Sequence, residues 1–199
     1  MELLEAKEQL VFAQEHLDMI AKAKSHKEFR KWWQAFRTCL VSSIYSVENK
    51  LKKEGVDKGN AVFKPVFRVK KQSETEFIIQ SRHVSTHKVD PISELEPGFI
   101  QLSPGESQEG EAQPDGSVIY PDRELVRVKI KPTVIKLLPV ENRKAVYSVP
   151  EYETQEGFHK PYDPVSLGKV SLMQVADVIS EIENLFSNHY TGRASKRAN

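Results

Sequence analysis

An arginine, two histidines and a threonine fall within one short run, RHVSTH, as Arg82, His83, Thr86 and His87. A guanidinium keeps its charge at any physiological pH and offers a planar fork of donors that fits phosphate oxygens. An imidazole takes up or releases a proton near neutral pH, which suits it to acid–base duty. At this spacing the groups fit chemistry at a phosphate: Arg82 supplies charge, His87 moves a proton, His83 orients His87 or the ligand, and the Thr86 hydroxyl adds a polar contact. A metal site fits less well. His83 and His87 stand one helical turn apart, but HVSTH lacks the glutamate of zinc peptidases and no third ligand is evident, so neither metal nor cofactor is expected.

These side chains act together only if one helix carries them. The run SETEFIIQSRHVSTHKVDP, residues 73–91, has the signals for one. Ser73 and Glu76 have capping-box spacing at its start, and Asp90–Pro91 ends it, because the residue before proline is pushed out of helical geometry. Projected at about 100° per residue, Phe77, Ile78, Ser81, Val84, Ser85 and Val89 gather on one side. Arg82, Thr86, His83 and His87 fall within an arc of roughly 140° on the other. Only Ile79 breaks the division.

Two helices precede this one. Residues 2–24 repeat Leu3, Leu10, Ala13, Leu17 and Ile20 at threes and fours. Ser25 and Glu28 form a second capping box, followed by Phe29, Trp32, Trp33, Phe36, Leu40, Ile44, Val47 and Leu51 as far as Gly55. The tight break at Ser25 implies an antiparallel hairpin whose tryptophans and Phe36 fill the core. Residues 55–72 mix glycines, Pro65 and lysines and read as a loop holding a short strand or one helical turn at 66–69. Lys50, Lys52, Lys53, Lys70 and Lys71 offer a basic rim for a nucleic-acid backbone, or a solvated charged face.

Beyond Pro91 the pattern turns to strands. Residues 99–102 and 118–120 read as a pair around an acidic, turn-rich loop at 103–116, and 125–131 alternates apolar and polar residues. Residues 134–138, a PVENRK turn and 145–149 read as a hairpin. Residues 150–162 read as a loop with a surface histidine, His159. Asp163–Pro164 then starts a long helix, with Leu172, Val175, Ala176, Ile179, Ile182 and Phe186 as its stripe. It should end near Tyr190, before a basic, frayed tail at 191–199.

The totals narrow the field. Charged residues make up 29% of the 199 and net charge is +1, so any nucleic-acid contact must use a local patch. The one cysteine, Cys39, reads as a small core residue and excludes an intrachain disulfide framework. The N-terminus is acidic and amphipathic, and no apolar run reaches the ~18 residues of a membrane span, so a cytoplasmic protein with no membrane contact is expected.

The order helical hairpin, Arg-polar-x3-His helix and final long helix resembles the HEPN domain family of small helical bundles, found in many RNA-cleaving toxins and defence proteins. RHVSTH carries that resemblance in residue identity; helix pattern and order carry it over residues 1–90 and 163–190. It implies a mainly α fold, a four-helix bundle with a small antiparallel β insertion at 97–150 between helices 3 and 4, forming one domain over 1–199. It further implies a metal-independent endoribonuclease, a toxin or antiviral effector, with Arg82, His83 and His87 catalytic. In such a reaction the RNA 2′-OH attacks the adjacent phosphorus and leaves a cyclic phosphate. The family pairs two motifs across a shared cleft, so a homodimer is implied as well. The β insertion is larger than the minimal bundle needs, and Val89 stands where some toxins of the family carry a modified tyrosine. The alternative reading is an inactive HEPN-like binding or regulatory module that uses the β insertion for protein or nucleic-acid contacts.

Overall fold

The computed structural model describes residues 2–87, 92–104, 111–112, 118–119 and 126–196. The chain is mainly helical, with small two-stranded sheets, and forms two compact units. One comprises Met1–Glu94 and Lys136–Asn199, the other Leu95–Ile135. Among the described residues no helix is long and apolar enough to cross a membrane.

In the first unit α1 (Leu4–Ala21) packs chiefly on α2 (His26–Lys53). The break at Ser25 works as its chemistry predicts. Its hydroxyl accepts the Glu28 N–H at 3.2 Å, while the Glu28 carboxylate accepts the N–H of Lys24, one residue before the cap. At the other end Gly55 adopts φ +70°, and the N–H groups of Gly55 and Val56 reach the carbonyls of Lys52 and Leu51. That is a Schellman stop, which only a residue tolerant of left-handed geometry allows cheaply. Phe29, Trp33, Phe36, Leu40, Ile44, Val47 and Leu51 are all buried, with Phe29, Trp33 and Phe36 stacked in series. Trp32 departs from expectation: it is half-buried and stacks on His16 of α1, with the Lys31 ammonium 4.3 Å from its ring. Leu10 and Cys39 are likewise only partly covered, where core positions were expected.

The 55–72 stretch is more helical than its composition suggests. A 3-10 turn at Ala61–Phe63, capped by Asn60, runs straight into α3 (Lys64–Lys70), and Pro65 occupies its first turn, where a missing N–H costs nothing. The motif helix is therefore α4 (Ser73–His87), the fourth α-helix of the chain. The last helix, α5 (Pro164–Lys196), is capped by the Asp163 carboxylate, which accepts from Val165 and Ser166 at 2.9 and 3.0 Å. It continues past Tyr190 and Gly192, where the sequence predicts a stop and a frayed tail; residues 197–199 lie outside the described part.

Gly168 sits where α5 meets α1 and α2. A methyl added there would lie 2.5 Å from Leu17 Cδ1 and 3.2 Å from Phe36 Cζ, both fully buried side chains. Overpacking costs about 1–3 kcal/mol, against a gain of about 1 kcal/mol in helix propensity. Gly168→Ala should therefore lower the urea midpoint by the equivalent of about 1 kcal/mol, where an exposed helical glycine would raise it.

The strands pair differently from the sequence reading. β1 (Ser93–Glu96) and β6 (Val134–Leu137) share one sheet, so β6 is not the partner of residues 145–149. β7 (Val140–Asn142) pairs instead with β8 (Ala145–Tyr147), around a two-residue turn. β2 (Phe99–Pro104) pairs with β5 (Val126–Lys131), and β4 (Val118–Ile119) with β3 (Glu111–Ala112), which overturns a 99–102/118–120 pair. Much of the 103–116 loop lies outside the described residues. The 150–162 segment forms a hairpin of β9 (Glu151–Glu153) and β10 (His159–Pro161), with His159 exposed opposite Glu153. The β9 and β10 segments are three residues each with every residue exposed, too short for alternation to reveal them.

Candidate functional site

α4 starts without the predicted capping box. Ser73 already lies inside the helix and its hydroxyl donates to Glu74, while the Glu76 N–H bonds the Gln72 carbonyl. That i→i−4 bond is the first of the helix's own ladder, so the helix begins one residue earlier than a capping box at Ser73 places it. The predicted end at Asp90–Pro91, and Val89 with it, fall outside the described residues.

The buried face of α4 is broader than the projection implies. Phe77, Ile78, Ser81 and Val84 are buried as the pattern requires and Ser85 is half-buried, but Ile79, expected on the polar side, is only 7% exposed, and Thr75, which the projection did not place on the buried side, is wholly buried too. Polar anchors hold the helix from three directions. Near its start, the Thr75 hydroxyl donates to Gln174 of α5 at 2.7 Å, and Gln174 in turn donates to Glu74. On the α2 side, the Arg37 guanidinium, 1% exposed, donates to the Ser81 carbonyl at 2.5 Å and to the Trp33 carbonyl at 3.3 Å. On the hairpin side, the Asn142 side-chain amide of β7 donates to the Gln80 side chain at 2.7 Å.

Arg82 and His83 follow Ser81 directly and are half-buried, at the border between core and solvent. α4 includes Thr86 and His87, so the backbone of all four candidate residues runs in one continuous helix. A helix fixes the intervals between such groups, at about 1.5 Å of rise and 100° of rotation per residue. The Ser85 hydroxyl donates to the Arg82 carbonyl at 2.9 Å, one turn back on the same helix.

The lysines proposed as an RNA rim are gathered by carboxylates. Glu48 takes both Lys52, at 2.9 Å, and Lys70, while Glu54 takes Lys50 at 2.8 Å. The Lys70 ammonium also lies over the Tyr45 ring, 4.7 Å from its centroid. Lys53 and Lys71 are exposed. Partial burial pushes the Glu48 carboxyl up, but the two ammonium partners outweigh it and hold the group below its usual 4.5. A depressed carboxylate contributes stability above its unfolded value and loses it as pH falls through the folded one. Glu48→Gln should thus cost about 1 kcal/mol at pH 7 and nothing once both forms are acidified well below that range, as read by urea denaturation across pH.

Sequence reasoning missed Arg37 and drew the β7–β8 turn too long, over PVENRK instead of Arg143–Lys144. Burial draws the Arg37 guanidinium well down from its ordinary value, to about 9, which leaves it charged at pH 7. The signal was available: Arg37 falls on the stripe Trp33, Leu40, Ile44, so the helical period puts its stem in the core. Among the described residues, no three His, Cys, Asp or Glu side chains converge as a metal would require. A small void between α2, α3 and α5 is lined by Ile44, Val47, Val66, Val69, Val175, Val178 and Ile179; it has no polar lining and no room for water, so it is a packing defect rather than a ligand site. No family model, no curated protein and no solved structure matches this chain.

Proposed function

We propose that this chain is a HEPN-like bundle that cleaves RNA without a metal, with Arg82 gripping the phosphate, His87 moving the proton and His83 orienting one or the other. The observation that carries the reading is the continuity of α4: one helix, anchored by Arg37, Gln174 and Asn142, carries Arg82, His83 and His87 at fixed intervals while its apolar residues are buried. Rigid placement of this kind is what a positioned acid–base pair needs. In the reaction the ribose 2′-OH loses its proton as it attacks phosphorus, the 5′ oxygen leaves with a proton, and the charge on the phosphorane is met by the guanidinium. One motif supplies few groups, so a second copy completes the cleft. The exposed Leu4, Val11 and Phe12 of α1 support a homodimer, being apolar surface that a single chain leaves partly open.

A second reading, an inactive bundle acting as a binding or regulatory module, is favoured by the ion-paired lysines, whose charge is already met by Glu48 and Glu54. Incubation of purified protein with RNA in EDTA separates the two. Cleavage that leaves 2′,3′-cyclic ends, and that Arg82→Ala loses, supports the nuclease; equal cleavage by wild type and variant, or none by either, supports the module.

A further inference from the structure

The turn between β7 and β8 is built from residues that do not favour it. Asn142 pairs with Ala145, so Arg143 and Lys144 alone make the connection, at φ +51° and +68°. Two successive left-handed residues are what a type I′ hairpin requires, and Asn-Gly is the sequence that meets it with least strain. Here an arginine and a lysine, both exposed, occupy those positions. Strained backbone at a non-glycine pair asks what the side chains are for.

Their placement gives the answer. Along β7, Val140 is buried, Glu141 exposed and Asn142 half-buried, so alternation turns Val140 and Asn142 toward α4 and Glu141 away. Asn142 then bonds Gln80. Gln80 stands three residues before His83, which makes the two neighbours on the helix surface, whereas Arg82, two residues after Gln80, leaves the helix about 160° away. The cationic tip begins at the residue next to Asn142. It is therefore fastened beside the stretch of α4 that carries the motif, unlike the lysines held by Glu48 and Glu54.

We infer that Arg143 and Lys144 form a backbone-binding arm for single-stranded RNA, contacting phosphates on the His83 side of the motif helix; this rests on the RNA reading above. Two cations on a rigid turn give position without base readout. The arm binds and does not cleave.

The test uses full-length protein and a short single-stranded RNA carrying 2′-O-methyl groups, which lacks the attacking hydroxyl and so reports binding alone. The double variant R143N/K144G supplies the preferred turn sequence while removing both charges. It should melt at or above the wild-type temperature, bind about twentyfold more weakly at 0.1 M salt, and lower the slope of log K against log salt by roughly 1.4, as expected for two lost phosphate contacts on a single strand. Arg143→Lys should keep most of the binding. Equal affinity and slope in R143N/K144G would overturn the arm, as would a wild-type chain that does not bind this RNA. The two proposals fail separately: binding that depends on the turn in a protein that never cuts RNA keeps the arm and removes the nuclease, whereas cleavage indifferent to the turn does the reverse.

Discussion

Arg37→Ala is expected to cost the folded chain about 3 kcal/mol, the largest stability loss of any single truncation argued from these contacts. Removing a buried side chain of this size leaves a hole worth about 2–5 kcal/mol, and the Ser81 carbonyl loses its donor, worth a further ~1–3 kcal/mol. Against these stands the relief of no longer burying a charge. Arg37→Met separates the contributions: it keeps the volume of the stem and discards the charge, so its cost should be about 1 kcal/mol or less. Urea denaturation of the three proteins decides. An alanine variant within about 0.5 kcal/mol of wild type would mean that Arg37 does not hold α4 against α2. The pH dependence carries a second signature. Because the folded value lies near 9, well below that of an unfolded, solvated guanidinium, the folded state loses its proton first as pH rises. Wild type should therefore gain stability relative to Arg37→Met above pH 9, and the gain should vanish as pH falls back through that value.

Arg82→Ala is expected to lower RNA cleavage about 10²–10³-fold, the loss typical of removing one donor aimed at developing charge. His87→Ala should lower it about 10²–10⁴-fold through loss of proton transfer. Since the groups act on one transition state, the double variant should be little worse than the poorer single one, which independent structural damage would not produce. Arg82→Lys keeps the charge but not the planar fork, and recovers only part of the activity. Single-turnover cleavage in EDTA, beside a thermal melt of each variant, is the measurement. Losses that track the melts and add in the double variant would assign these residues to folding, leaving the binding-module reading.

Much of the helical unit is legible in the sequence because its signals are local. Ser25 and Glu28 announce the α1–α2 break, Gly55 ends α2, Asp163–Pro164 opens α5, and the three-four spacing of Phe29, Trp33, Phe36 and Leu40 names the core face. The misses have separate causes. Ser73 does not cap α4 because the helix already includes it, the Gln72 carbonyl accepting the first ladder bond. Ile79 is covered although the helical projection puts it among polar residues, since α4 is packed on more than one side. The β7–β8 hairpin was misaligned because Arg143–Lys144 lacks the Asn-Gly that would have marked a two-residue turn. Of the motif, the sequence established residue types and intervals, while the grip of Arg37 and Asn142 on the same helix needed the third dimension.

The neighbouring tryptophans supply built-in optical probes of two different places. Trp33 is wholly enclosed between Phe29 and Phe36 with the Arg37 guanidinium nearby, so its emission belongs to the dry interior and to the α2–α4 contact. Trp32 faces His16 across the seam between α1 and α2, so its emission reports on that second place instead. Exchanging Trp32 for phenylalanine leaves one indole, and the colour of its fluorescence then follows the seating of the motif helix during folding without any attached dye.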